Sequence, residues 1–212
     1  MENKHSTLAL IAILATIGSL AYLGYTQFGG RKMSLQPLET VGEMVARETA
    51  ALLNHSGPVV VVMGSTEGIP MPGLESQMKG FKAGLAKTRG VTLKGVRQFQ
   101  LPEGESGQQW PPGQAERLLS FGEGAAALVL FVNLPQTLSP EDLAVLKEAK
   151  SKVVFVSGFT PAVKPVLLQG GARLVIVNRF PPPLPPAGAE TPEQWFKRLY
   201  IAAKPDALGE LP

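Results

Sequence analysis

The sequence predicts an α/β domain with an open, doubly wound parallel sheet of five strands, helices on both faces, and one transmembrane helix in front. Three observations predict it. Apolar runs recur along the chain, and four of them are nearly continuous Val, Leu, Ile and Phe, as strands buried on both faces of a parallel sheet read. Segments of helical periodicity alternate with these runs. Residues 6–28, STLALIAILATIGSLAYLGYTQF, carry no charge.

At 1.5 Å rise per residue, about 20 apolar residues cross a hydrocarbon core of roughly 30 Å. Tyr22 and Tyr25 suit the interface beyond such a span, as does the Arg31–Lys32 pair. The competing reading is a cleaved signal peptide, with Ser19 and Ala21 before the cut. The apolar run continues past that point and favours an uncleaved single-pass anchor. Basic residues on the two sides are nearly balanced, so orientation is not set by charge.

Next, PLETVGEMVARETAALLN (37–54) places Leu38, Val41, Val45 and Leu52 near one stripe, a helix expected to dock the domain that follows. The strands are then VVVVM (59–63), VTLKGVRQF (91–99), ALVLFV (127–132), KVVFVS (152–157) and ARLVIVN (172–178). The second alternates, as an edge strand exposed on one face does. Between strands one and two, Leu74, Met78, Phe81 and Leu85 share a helical face, with Gly90 as a stop. GQAERLLSFGEG is a short helix with Leu118 and Leu119 inward. SPEDLAVLKEAK opens with Ser139 as N-cap and Pro140 at the first helical position. Thr160–Pro161 repeats that start before AVKPVLLQGG, and Pro165 limits the helix. Thr191 to Gln194 is a capping box ahead of a final helix, WFKRLYIAA.

The alternation implies right-handed crossovers, and the edge character of the second strand points to the flavodoxin-like order 2-1-3-4-5. The expected segments are an anchor with short flanks (1–32), a linker and docking helix (33–57), an α/β sandwich (58–180), and a proline-rich connector with a C-terminal helix (181–212). Two stretches are irregular. In QLPEGESGQQWPPG (100–113), Trp110 is either exposed or folded back as a plug. PPPLPP (181–186) is a polyproline II segment, either a stiff spacer or a ligand for an aromatic groove.

Composition excludes several chemistries. The net charge of +3 falls to 17 basic against 16 acidic residues once 1–32 are removed, so no basic face for nucleic acid is implied. With no cysteine there are no disulfides, thiolate metal sites or cysteine nucleophiles. After the first strand, Gly64-Ser65-Thr66-Glu67-Gly68 lacks the lysine and hydroxyl of a phosphate loop and the spacing of a dinucleotide fingerprint. It does match a nucleophile elbow with Thr66 as the hydroxyl. Yet His5 and His55 both precede it, and a threonine without a base is too weak a nucleophile. Glu103 and Glu105, and Glu141 and Asp142, read as solvated or capping carboxylates rather than metal ligands, and no cofactor is expected.

What survives is position. Ligands of open parallel sheets collect outside the carboxyl ends of the strands. Those ends carry Ser65, Thr66 and Glu67; Asn133 and Gln136; Ser157 and Thr160; and Asn178 and Arg179. These residues form the candidate binding rim, with ordinary strand-end polarity and helix capping as the alternative.

Residues 58–180 also carry a resemblance. VVVVMGSTEGIPMPGLESQMKGFKAGLAK is similar to the first strand, ligand-approaching loop and GF..GL helix of the type I periplasmic binding proteins, the sugar-binding and repressor-core superfamily. ALVLFVNLP and KVVFVSGF are similar to strands that follow in that family. The resemblance implies non-catalytic binding of a small polar ligand near Ser65, Thr66, Glu67, Asn133 and Ser157, in an extracytoplasmic domain. Such proteins close two lobes around the ligand, whereas this chain supplies one. A second chain, as protein partner or homo-oligomer, would complete the cleft; a lobe turned scaffold in a membrane-associated assembly fits equally. An enzyme with a flavodoxin-like core acting on a small polar substrate is the alternative from another class.

Overall fold

The structure, a computed structural model, describes residues 35–65, 69–100, 107–186 and 188–211. The expected membrane span at 6–28 lies outside them, and among the described residues no helix is long and apolar enough to cross a membrane. Leu35–Pro212 is one compact unit. Its elements are α1 (Gln36–Leu52), β1 (Gly57–Ser65), α2 (Pro72–Ala86), β2 (Val91–Gln100), α3 (Gln114–Ser120) and β3 (Ala127–Phe131). There follow α4 (Pro140–Lys147), β4 (Lys152–Ser157), α5 (Val163–Leu168), β5 (Leu174–Asn178), α6 (Pro192–Leu199), β6 (Tyr200–Ala203) and a 3-10 turn (Leu208–Glu210).

The sheet has six strands in the order β2-β1-β3-β4-β5-β6. This corrects the expected five-stranded, all-parallel sheet. β1 to β5 pair in parallel, and β6 adds an antiparallel edge, with Asn178 opposite Tyr200 and Val175 opposite Ala203. The expected final helix is shortened for the same reason. YIAA leaves it at Tyr200, because alternation there serves both faces of the sheet: Ile201 and Ala203 enter one core, and Tyr200 and Ala202 pack against the other. The free edge of β5 supplies the hydrogen bonds that another helical turn would have made internally.

The continuous apolar runs follow from burial on both sides. Val59 and Val61 of β1, Ala127 and Val129 of β3, and Leu174 and Ile176 of β5 face the core under α1, α2 and α6. Val60 and Val62, Leu128 and Leu130, and Val175 and Val177 face the core under α3, α4 and α5. Trp110 folds back into this second core, 4% exposed, its ring 6.2 Å from that of Phe155.

α1 is a structural layer of the sheet. Val41, Val45, Ala46 and Ala50 are fully buried, and its C-terminal carbonyl at Leu52 accepts from Lys152 Nζ at 2.6 Å. His55 stands in the left-handed turn that closes it (φ 56°), its N–H donating to the Ala50 carbonyl at 2.8 Å. α1 and α2 cross on glycine. A Cβ at Gly42 would overlap the Gln77 carbonyl, and one at Gly80 the Glu39 carbonyl.

The expected N-cap at Ser139 and capping box at Thr191 both form, and Ser139 completes a capping box with Asp142 as well. Ser139 Oγ accepts from the Asp142 N–H at 3.0 Å, and Thr191 Oγ1 accepts from the Gln194 N–H at 3.2 Å. Thr160 does not cap. α5 starts at Val163 with Ala162 as N-cap and no side-chain bond. The Thr160 carbonyl accepts from the Val163 N–H at 3.1 Å, while its hydroxyl has no partner among the described residues.

Candidate functional site

Parallel pairing brings the C-terminal ends of β1, β3, β4 and β5 to one edge of the sheet. There a cleft of about 400 Å³ opens between the strand ends and the helical layer above. Phe131, Val156 and Ile176 form an apolar floor; Leu38 of α1, with Met71, Leu74 and Gln77 at the start of α2, forms one wall. Asn133, Ser157, Gly158 and Asn178 form the polar side.

That side is tied together by its own hydrogen bonds. Ser157 Oγ accepts from the Leu134 N–H at 2.9 Å and donates to the Gly158 carbonyl at 2.8 Å. Asn133 Oδ1 accepts from the Gly158 N–H at 3.1 Å. The loop after β3 is thus clipped to the loop after β4. The Ser157 hydroxyl gives its one proton to this clip, and the residue is 8% exposed. The Asn133 carbonyl is engaged as well, which leaves its amide N–H₂ as the free donor pair.

Asn178 approaches the same point from β5. A Cβ on Gly158 would lie 3.8 Å from Asn178 Oδ1 and 4.0 Å from Asn133 Oδ1. Glycine there keeps a small open space between two exposed side-chain amides. Tyr200 lines the cleft from β6, and burial raises the pKa of its phenol, so it stays neutral and able to donate or accept throughout the physiological range. No charged side chain lines the cleft among the described residues. The described lining offers amides and a phenol to hydroxyls or carbonyls, and Phe131 and Met71 to an apolar face.

Of the sequence-expected rim, Asn133, Ser157 and Asn178 meet here. Thr66 and Glu67 lie outside the described residues. Ser65 ends β1 half-buried, with Gly64 rather than Ser65 lining the cleft. Gln136 is exposed on the loop after β3, held through its backbone N–H to the Gly107 carbonyl at 3.0 Å. Thr160 is 8% exposed, and its hydroxyl has no partner among the described residues. Arg179 borders a different groove, of about 840 Å³, between α1 and α6. His55 sits before β1, the whole strand away from Ser65 and roughly 30 Å distant at about 3.3 Å per residue, so no base reaches the Gly-x-Thr-x-Gly turn from it. Sequence reasoning missed Gly158, Gln77, Met71 and Tyr200. The only local signal among them is the glycine directly after a strand-ending serine in VSGF.

No protein-family model matches the chain, and no curated protein matches it. Solved structures do. A sugar-binding protein of a sugar ABC transporter from Bacillus halodurans superposes with a TM-score of 0.50 at 14% identity, over 66% of this chain and 45% of that one. An arabinose-binding protein from Geobacillus stearothermophilus gives 0.48 at 13%, over 66% and 45%. A LacI-type transcriptional regulator from Bacteroides fragilis gives 0.49 at 14%, over 76% and 50%. The chain spans about half the length of the structures it matches. At such identities the likeness is one of fold, and the fold of this chain is type I periplasmic binding protein-like.

Proposed function

We propose that this chain is a membrane-anchored binding module that holds a small, neutral, polyhydroxylated ligand of the monosaccharide class at the strand-end cleft. The observation that carries the reading is the convergence of Asn133 and Asn178 over Gly158 in a cleft whose described lining has no charge. Amide pairs beside an apolar face suit sugars, which present hydroxyls along one edge and C–H groups on a ring face. The sugar-binding protein of similar fold supports the class. Residues 6–28 serve as the anchor, with the α/β unit outside the cytoplasm. Because one lobe cannot enclose a ligand, the opposite wall comes from a second chain, either another copy or a partner in a membrane assembly. Gln136, Thr160 and Arg179 take no part in holding the ligand.

The full-length chain in mild detergent, heated with each of a set of neutral monosaccharides, tests this. A ligand present at about 100 times its Kd stabilises the folded state by about 2.7 kcal/mol, a shift of several degrees in Tm. Asn133→Ala and Asn178→Ala should each abolish the shift while remaining folded. No shift at tens of millimolar with any sugar removes the monosaccharide reading and leaves a scaffolding role, in which the cleft contacts a protein.

A further inference from the structure

A second feature at the same end of the sheet carries an assignment independent of the cleft. Past β5 the chain reads Phe180-Pro-Pro-Pro-Leu184-Pro-Pro186. Pro181, Pro182, Leu184 and Pro185 each precede a proline, which drives them into the extended region, while the rings fix φ near −65°. No helix or strand forms over 182–186, and every residue from Pro181 to Pro186 is exposed. Leu184 is 90% exposed, the most exposed of the large apolar side chains described, and Phe180 is 76% exposed.

The strap is held in place at its base. Arg198 of α6 forks onto Glu190, with Nε and Nη2 each 2.7 Å from a carboxylate oxygen, and its Nη1 donates to the Pro183 carbonyl at 3.3 Å. Both charged side chains are largely shielded, 17% and 14% exposed. β5 fixes one end and α6 the other. A connector would need only length. This segment presents an apolar ridge instead, with no protein surface among the described residues to cover it.

With three residues per turn, Pro182 and Pro185 share one edge of a polyproline II helix, and Pro181 and Leu184 share the next. Two successive x-Pro pairs, Pro181–Pro182 and Leu184–Pro185, therefore stand side by side. We propose that residues 181–186 are the docking ligand of a partner protein that reads polyproline II through an aromatic-lined groove. The partner's rings would sandwich the two x-Pro pairs, and its indole or phenol groups would donate to the strap's carbonyls. Pre-ordering by the prolines and the Arg198 clamp reduces the entropy lost on docking.

The test titrates the purified full-length chain in mild detergent with two probes, an isolated SH3 domain and an isolated WW domain, reading the fluorescence of their groove tryptophans. We expect saturable binding to at least one, weakened about tenfold or more by Leu184→Ala and by Pro185→Ala. Leu168→Ala, which removes another exposed leucine at the opposite end of the sheet, should leave it unchanged. All three residues are exposed, so the variants should unfold at the wild-type temperature. No binding of either domain at millimolar concentration overturns the proposal, as does binding that survives both strap substitutions. Neither outcome bears on the sugar-induced Tm shift, so the two readings fail separately.

Discussion

Gly158 is the residue on which the cleft turns, because two amides converge on the space its missing side chain leaves open. A methyl there meets Asn178 and Asn133 at ordinary contact distance, so Gly158→Ala should fold normally. Gly158→Leu fills the space between the amides and should lose the monosaccharide response at nearly unchanged Tm. Paired melts of the two variants with and without sugar check this; retained response in the leucine variant would place the ligand elsewhere. At Glu190 the prediction concerns pH. The hydrogen bond from Arg198 holds its carboxyl below the ordinary value of 4.5; desolvation opposes the effect and the guanidinium charge adds to it. The reciprocal bond raises Arg198, which stays charged throughout. A depressed folded pKa gives stability that is present above the ordinary value and lost as pH falls through the folded one. The Tm of Glu190→Gln should therefore lie furthest below wild type at neutral pH, and the gap should close as the solution is taken below about pH 4.5. A gap unchanged between pH 7 and pH 3 would mean the carboxylate's charge contributes nothing to the clamp.

Among the elements, α1 and α2 cross at a close approach of their backbones. Gly80 lies against the backbone of Glu39, and Gly84 against Ala46 and Glu43. Gly80→Ala gains up to about 1 kcal/mol of helix propensity yet must push two backbones apart, and overpacking of this kind costs about 1–3 kcal/mol or more. A net loss of about 1–2 kcal/mol in urea unfolding is expected; a neutral or stabilising result would mean the helices separate freely. Sequence alone revealed the GF..GL pattern but not this contact, since a helix sequence does not record which helix crosses it. β1, β3, β4 and β5 were legible because burial on both faces writes an unbroken apolar run, and β2 because an exposed edge strand alternates. β6 was not, because WFKRLYIAA continues a well-capped helical pattern, and only the open edge of β5 makes a strand of its last four residues. The site was legible to the same extent. Position at strand ends selected Asn133, Ser157 and Asn178, but the helical side of the cleft comes from Leu38, Met71 and Gln77, apolar or amide residues that sequence does not place over the sheet.

For the molecule as a whole, the decisive quantity is how much of a ligand one lobe can cover. Binding pockets bury about 70–90% of a small ligand, whereas this cleft lies open along a single edge of the sheet. If a second chain supplies the other wall, ligand and second chain stabilise each other's binding, and linkage makes the coupling reciprocal, typically 5–150-fold in either affinity. Monosaccharide should then shift the full-length chain in mild detergent towards a larger species, alone if the second wall is another copy, or only with co-purified partner present if it is not. Sedimentation velocity over a range of protein concentrations, with and without sugar, reads this directly. In Asn133→Ala the ligand-dependent increment should vanish while ligand-free association persists. Sugar binding with no change in association state at any concentration would show that one lobe suffices, and the second wall would drop out of the account.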